Sequence, residues 1–166
     1  MWETRRVVTW IAPLACFWSL TACSDVSTGN ELRGTPNPCL LLTSAEIDGV
    51  VIRSVDHFSY QAKSNGNGCV WYDANNISIY TASFTSDALP SGNSLMGLGV
   101  PAVLNAGAAV SATFQDFTLF SQSNDPVKDG TVSANVQAAS SVDSTQTQLA
   151  TSEASYRLAQ KLLSRL

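Results

Sequence analysis

The chain has 166 residues, nine of them Lys or Arg and thirteen Asp or Glu, for a formal net charge of -4 at pH 7. The acids are scattered singly (Asp48, Asp56, Asp73, Asp87, Asp116) and no basic stripe faces them. That excludes the electrostatic footprint of a nucleic-acid binder, and it gives anionic lipid head groups nothing to hold by charge alone.

In chain order the first element is a leader. Arg5 and Arg6 form a basic start, and Val7 to Leu20 follow without a charge. This fourteen-residue run is shorter than the roughly 20 residues needed to span a bilayer, and it has the size of a secretory apolar region. No second long apolar run follows that could act as a stop-transfer segment. Leu20-Thr21-Ala22-Cys23 resembles the lipobox of bacterial lipoproteins. The resemblance implies cleavage between Ala22 and Cys23 and a diacylglyceryl group on the Cys23 sulfur. Two or more acyl chains, at about 0.8 kcal/mol per buried methylene, then hold the protein firmly at the membrane. The alternative is an ordinary secretory signal with a chance cysteine after its cleavage site.

Removing residues 1–22 takes Arg5, Arg6 and Glu3, which leaves 144 residues and a charge of -5. That is one modest domain with room for its own core. Cys16 is discarded with the leader and Cys23 carries the lipid, so Cys39 and Cys69 remain as an even pair in an oxidising compartment. Pairing is the default there, and the bond would close a loop of about 30 residues. A zinc or redox site is poorly supported, because the chain has no CxxC and a single histidine.

Residues 23–38 are polar and broken by Gly29, Gly34, Pro36 and Pro38, the composition of a flexible tether, and residues 39–166 form the domain. Thr43-Ser44-Ala45-Glu46 is a capping box, Leu42 and Ile47 stand at the positions of a hydrophobic staple, and Gly49 can end a short helix in a left-handed cap. Strand patterns follow in Val50–Ala62, Cys69–Tyr72 and Ile77–Phe84, with a turn over Lys63–Gly68. Ser86–Gly99 is a loop, and Val110–Phe114, Phe117–Ser121 and Thr131–Ala138 are further strand candidates. Ser140–Ser152 fits either a loop or the frayed start of a helix.

The period then changes. Ala154, Leu158, Leu162 and Leu166 recur every fourth residue, widened by Ala159 and Leu163, with Arg157, Lys161 and Arg165 opposite. This is an amphipathic helix whose apolar stripe packs on a sheet. The expected fold is α+β: a small antiparallel sheet with a short N-terminal helix and a C-terminal amphipathic helix packed on it.

Pro38-Cys39-Leu40-Leu41-Leu42-Thr43, then Gly68-Cys69-Val70-Trp71, Gly97-Leu98-Gly99 and Leu158–Leu163 together resemble a family of actinobacterial cell-envelope lipoproteins. That family shares a lipobox, a PCxLLT opening, a CxW strand, a GLG segment and a terminal helix, in a domain of unknown function. The resemblance spans Cys23 to Leu166. It implies an extracytoplasmic, lipid-anchored domain with Cys39 and Cys69 paired, and it transfers no catalytic residue. Pro101, where an acidic residue is common, and the small-residue run Ala106–Ala109 depart from the pattern.

Residues that could carry chemistry are few. His57 is the only histidine, and Asp56 beside it in a strand should point to the opposite face, so no triad pair is expected. There is no GxSxG elbow. Gly97–Ala102 fits a dinucleotide fingerprint literally, but it follows a loop and carries Pro101 where the helix should start, so a turn is expected instead. Asn76-Ile77-Ser78 is a glycosylation sequon by pattern and carries little meaning in a bacterium. Trp71 could floor an apolar ligand groove, although packing over the Cys39–Cys69 bond is favoured. No cofactor and no metal is expected. Two functions survive. One is a non-enzymatic binding or accessory module at the cell membrane, with an envelope protein, a lipid or a small ligand as partner. The other is an envelope hydrolase built from dispersed carboxylates.

Overall fold

A computed structural model describes residues 34–166. The leader, Ala22, Cys23 and the tether up to residue 33 lie outside the described residues. Two short helices open the fold, α1 (Pro38–Leu41) and α2 (Ser44–Asp48). Seven strands follow: β1 (His57–Lys63), β2 (Gly66–Tyr72), β3 (Ser78–Thr85), β4 (Asn93–Ser94), β5 (Ala102–Leu104), β6 (Val110–Phe114) and β7 (Phe117–Ser123). Helices α3 (Ala134–Ala139) and α4 (Gln146–Leu163) close the chain.

The strands form one antiparallel sheet in the order β1-β2-β3-β7-β6-β5-β4. It consists of two meanders, β1–β3 and β4–β7, joined where β3 pairs with β7. The α+β expectation holds, with the terminal helix against β7 and β6.

Register sorts the two faces, because residues paired across strands share a side. Trp71 pairs with Tyr80, Cys69 with Ala82 and Asn67 with Phe84. Through β7 and β6 the same face continues to Leu119, Val110 and Ala112. All of these are buried, and the apolar ones form one core with Ile47, Val51, Val136, Leu158 and Leu162. The opposite face carries Ser59, Gln61, Thr81, Thr85, Thr113 and Gln122, half-buried or exposed polar residues. The segment after β3 crosses that polar face on its way to β4, fastened where the Thr118 hydroxyl donates to the Asp87 carbonyl at 2.6 Å.

Cys39 and Cys69 form a disulfide that ties α1 to β2. Asn37 caps α1 by accepting the Cys39 amide at 3.0 Å, and the Thr35 carbonyl accepts from the Asn67 amide group at 2.9 Å. At α2 the Glu46 carboxylate accepts from both the Thr43 amide (3.0 Å) and the Thr43 hydroxyl (2.8 Å). Gly49 ends this helix with φ -69°, in the right-handed region, so the expected left-handed cap is not used.

Other differences have local causes. Val50 and Val51 do not start a strand; both are buried beyond α2, and Val51 bridges to Val127. The hairpin turn needs only Ser64 and Asn65, because Lys63 already pairs with Gly66. Gly66 belongs to β2 since any Cβ there would collide with the Phe84 carbonyl, so the glycine records a close strand approach rather than a turn. The segment expected as a strand over Thr131–Ala138 is helix α3. Ser133 caps it by accepting the Val136 amide, and Val136 and Ala139, three apart, are its buried residues. Thr145 and Gln148 form a capping box, which starts α4 inside the Ser/Thr/Gln-rich segment.

Candidate functional site

Charged clusters come first, since dispersed carboxylates are what a hydrolase would need. Arg53, between α2 and β1, brings two of them together. Its Nε donates to Asp125 Oδ1 at 2.9 Å and its Nη1 to Asp73 Oδ2 at 3.0 Å. Asp73 also accepts the Ile77 and Asn75 amides, each at 2.9 Å. Those amides, with the adjacent guanidinium, hold the Asp73 carboxyl below the usual carboxylate range. A general acid needs the opposite shift, and here a fixed cation fills the space where substrate would sit. The cluster is a clamp joining the β2–β3 turn, the end of β7 and the segment after α2.

His57 corrects an expectation. Asp56 lies just before β1, not within it, and its Oδ2 is 3.1 Å from His57 Nδ1. The imidazole stacks on Tyr72 with ring centroids 5.2 Å apart. Both Asp56 and His57 are exposed on open surface, and none of the molecule's principal clefts is lined by either.

Trp71 is fully buried and tilted against Tyr80 at a centroid distance of 5.2 Å. It lines none of those clefts, so the groove-floor role is replaced by core packing, and its indole N–H has no partner among the described residues. Gly97 and Gly99 both have positive φ, 90° and 75°, as a turn requires. A Cβ on Gly97 would run into the Tyr156 hydroxyl and the Asn135 amide, which explains the GLG segment by packing rather than by phosphate binding. No group of three or more His, Cys, Asp or Glu is placed to hold a metal among the described residues. Nor is any helix there long and apolar enough to cross a membrane.

A cleft of about 690 Å³ lies at the β4–β5 end of the sheet, where the β5–β6 turn faces the start of α4. Leu104 and Ala139 bring core atoms to it. The turn Ala106–Ala108 gives a low rim, with Gly107 and Ala108 both at positive φ. Its polar groups are serine hydroxyls and carboxamides, among them Asn93, Asn105, Ser144, Gln148 and Ser152, and no charged side chain lines it among the described residues. Asn105 donates to Ser111 at 2.8 Å, while its Oδ1 is buried without a partner. Ser152 is 4% exposed and its hydroxyl makes no hydrogen bond among the described residues, unlike Ser155 one turn on, which donates to the Thr151 carbonyl.

The small-residue run that departs from the family pattern and the Ser/Thr/Gln-rich segment Ser140–Ser152 thus meet across this cleft. Their shared signal was a richness in small and uncharged polar residues, with Asp143 the one charged residue between them. The fold and the cleft define a small sheet-and-helix domain with an uncharged polar cavity. No family model, no curated protein and no solved structure matches the chain.

Proposed function

We propose that the chain is a lipid-anchored extracytoplasmic binding module, held at the membrane through Cys23 and using the cleft between the β5–β6 turn and α4 to take up a small envelope ligand. The observation that carries the binding half is the chemistry of the cleft. It is of ligand size, carries Ser, Asn or Gln at eight of its fourteen lining positions, and among the described residues is lined by no titratable side chain that could act as acid or base. No acidic or basic side chain lines the cleft among the described residues to activate a serine hydroxyl there. The carboxylates that do converge, Asp73 with Asp125 and Glu153 with Asp129, are paired to Arg53 and Arg157. The anchoring half rests on the leader and the lipobox resemblance.

Both halves are tested on the protein isolated from its own envelope. Wild type should partition into detergent and Cys23→Ser should not. Native mass spectrometry should find a small non-covalent ligand on wild type and none on Ser144→Trp, in which an indole fills the cleft from its rim. A Cys23→Ser protein that still partitions removes the anchor. A wild-type protein that carries and binds nothing removes the module.

A further inference from the structure

The character of the wall narrows the ligand. Each charged ligand class meets an obstacle: an anion or cation entering this cleft would shed water and find no opposite charge among the lining residues. A purely apolar ligand meets another, since it would cover hydroxyls and carboxamides and leave them unpaired. Serine hydroxyls and Asn or Gln carboxamides each donate and accept. The ligand group with the same two-way character and no charge is the hydroxyl.

Specific groups are available to it. The Ser152 hydroxyl, on a residue nine-tenths buried and lining the cleft, has no protein partner among the described residues. One turn earlier on the same helix, Gln148 has its Oε1 engaged by the Thr145 amide at 2.9 Å, which fixes the carboxamide and leaves its Nε2 hydrogens to donate. Four residues apart on α4, these two side chains lie on one helix face. Ser141 and Ser144, whose hydroxyls are 3.0 Å apart, stand at the rim with further donor and acceptor capacity. Gly92, Gly107 and Ala139 keep the remaining wall low enough to admit a ring.

We infer that the Ser152–Gln148 cleft binds a neutral polyhydroxylated ligand, a short uncharged oligosaccharide. This rests on the binding-module reading and names its ligand class. No aromatic side chain lines the cleft among the described residues, so sugar rings gain no stacking there and the affinity is modest.

The test uses the full chain in detergent micelles, titrated calorimetrically with neutral gluco-, manno-, galacto-, xylo- and N-acetylgluco-trisaccharides. Trigalacturonate and the chitosan trimer serve as anionic and cationic comparators. At least one neutral trisaccharide should bind with a Kd of about 0.1–1 mM, and the charged trimers at least about tenfold more weakly. Ser152→Ala and Gln148→Glu should each weaken binding about three- to tenfold, the loss of one hydrogen bond, with an unchanged melting temperature. Glutamate keeps the acceptor that caps α4, and alanine removes a hydroxyl that no protein group uses, so neither change threatens the fold. Ser144→Trp should abolish binding. The inference is overturned if no neutral trisaccharide binds at about 10 mM, if a charged trimer binds as tightly, or if Ser144→Trp or both point variants keep the wild-type Kd. Failure on the sugars, alongside an envelope ligand that Ser144→Trp still excludes, would discard the ligand class and leave the module standing.

Discussion

Arg157 reaches back one turn of α4 to Glu153, its Nε 2.8 Å from a carboxylate oxygen whose residue is only 2% exposed. The same carboxylate accepts from the Ser133 amide and hydroxyl at 3.0 and 2.8 Å, while Arg157 also holds Asp129 at 2.7 Å and the Thr131 carbonyl at 2.9 Å. The pair therefore joins the last helix to the cap of α3. The sequence pattern set Arg157 on a free outer face where its loss should matter little, and the structure reverses that. Arg157→Ala should lower stability by about 2–3 kcal/mol, because it strands a buried charge, while Lys161→Ala stays within about 0.5 kcal/mol. Urea melts of the two variants decide it; equal midpoints would mean the pair is idle.

On the other side of the same helix, Leu158 and Leu162 are fully buried in the core. Leu158→Ala and Leu162→Ala should each cost about 2–5 kcal/mol, a large part of a total stability of about 5–15 kcal/mol. Leu166, the last residue of the expected stripe, is 37% exposed and past the end of α4, so Leu166→Ala should melt close to wild type. Leucine variants at 158 and 162 that melt like wild type would show the helix does not hold the sheet.

Which parts of the fold were legible follows from how local their causes are. The Thr43–Glu46 box, the alternation through Cys69 and Trp71 and the four-residue period of α4 each depend on neighbours within a turn or a strand, and each was readable. The strand misread over Thr131–Ala138 has β-branched Thr131, Val132 and Val136, and what makes it a helix is the Ser133 cap together with burial of Val136 and Ala139. The pairs Arg53–Asp73, Arg157–Asp129 and Arg165–Glu46 join residues 20 to 119 positions apart, a separation no spacing rule reaches, unlike the one-turn pair Arg157–Glu153. The cleft was hidden for the same reason, since Asn105 and Ser152 become neighbours only when the sheet and α4 have docked.

Acid should weaken this fold in a defined window. Arg165, hydrogen-bonded to Glu46, and the Thr43 amide lower the Glu46 carboxyl from 4.5 to about 2. Asp129 is held down by Arg157, and Asp73 by backbone amides and Arg53. A carboxylate with a depressed folded-state pKa stabilises fully above its unfolded value and loses that contribution as pH falls through the folded one. Stability should hold above about pH 5 and fall progressively toward about pH 2, and Glu46→Gln should flatten part of that slope. Melting temperatures measured from pH 7 to 2 check this; parallel profiles for wild type and Glu46→Gln would contradict it.

The Cys39–Cys69 bond encloses 30 positions of chain, a loop that includes α1, α2 and β1. Its removal as a Cys39→Ala, Cys69→Ala pair should cost about 3–4 kcal/mol through the freer unfolded chain. In wild-type protein isolated without reductant both thiols should resist alkylation until reductant is added. Two freely alkylated thiols would contradict the bond.

The central claim, that the uncharged cleft is a ligand site, is tested most directly by the melting temperature of the full chain with and without a small-molecule extract of the cells that produce it, compared with Ser144→Trp. A ligand present at about ten times its Kd adds about 1.4 kcal/mol to folded-state stability, which for a domain of this size is a rise of about 3–6 °C. The account predicts that rise in wild type and none in Ser144→Trp. An unmoved wild-type melt, or an equal rise in both proteins, would contradict it.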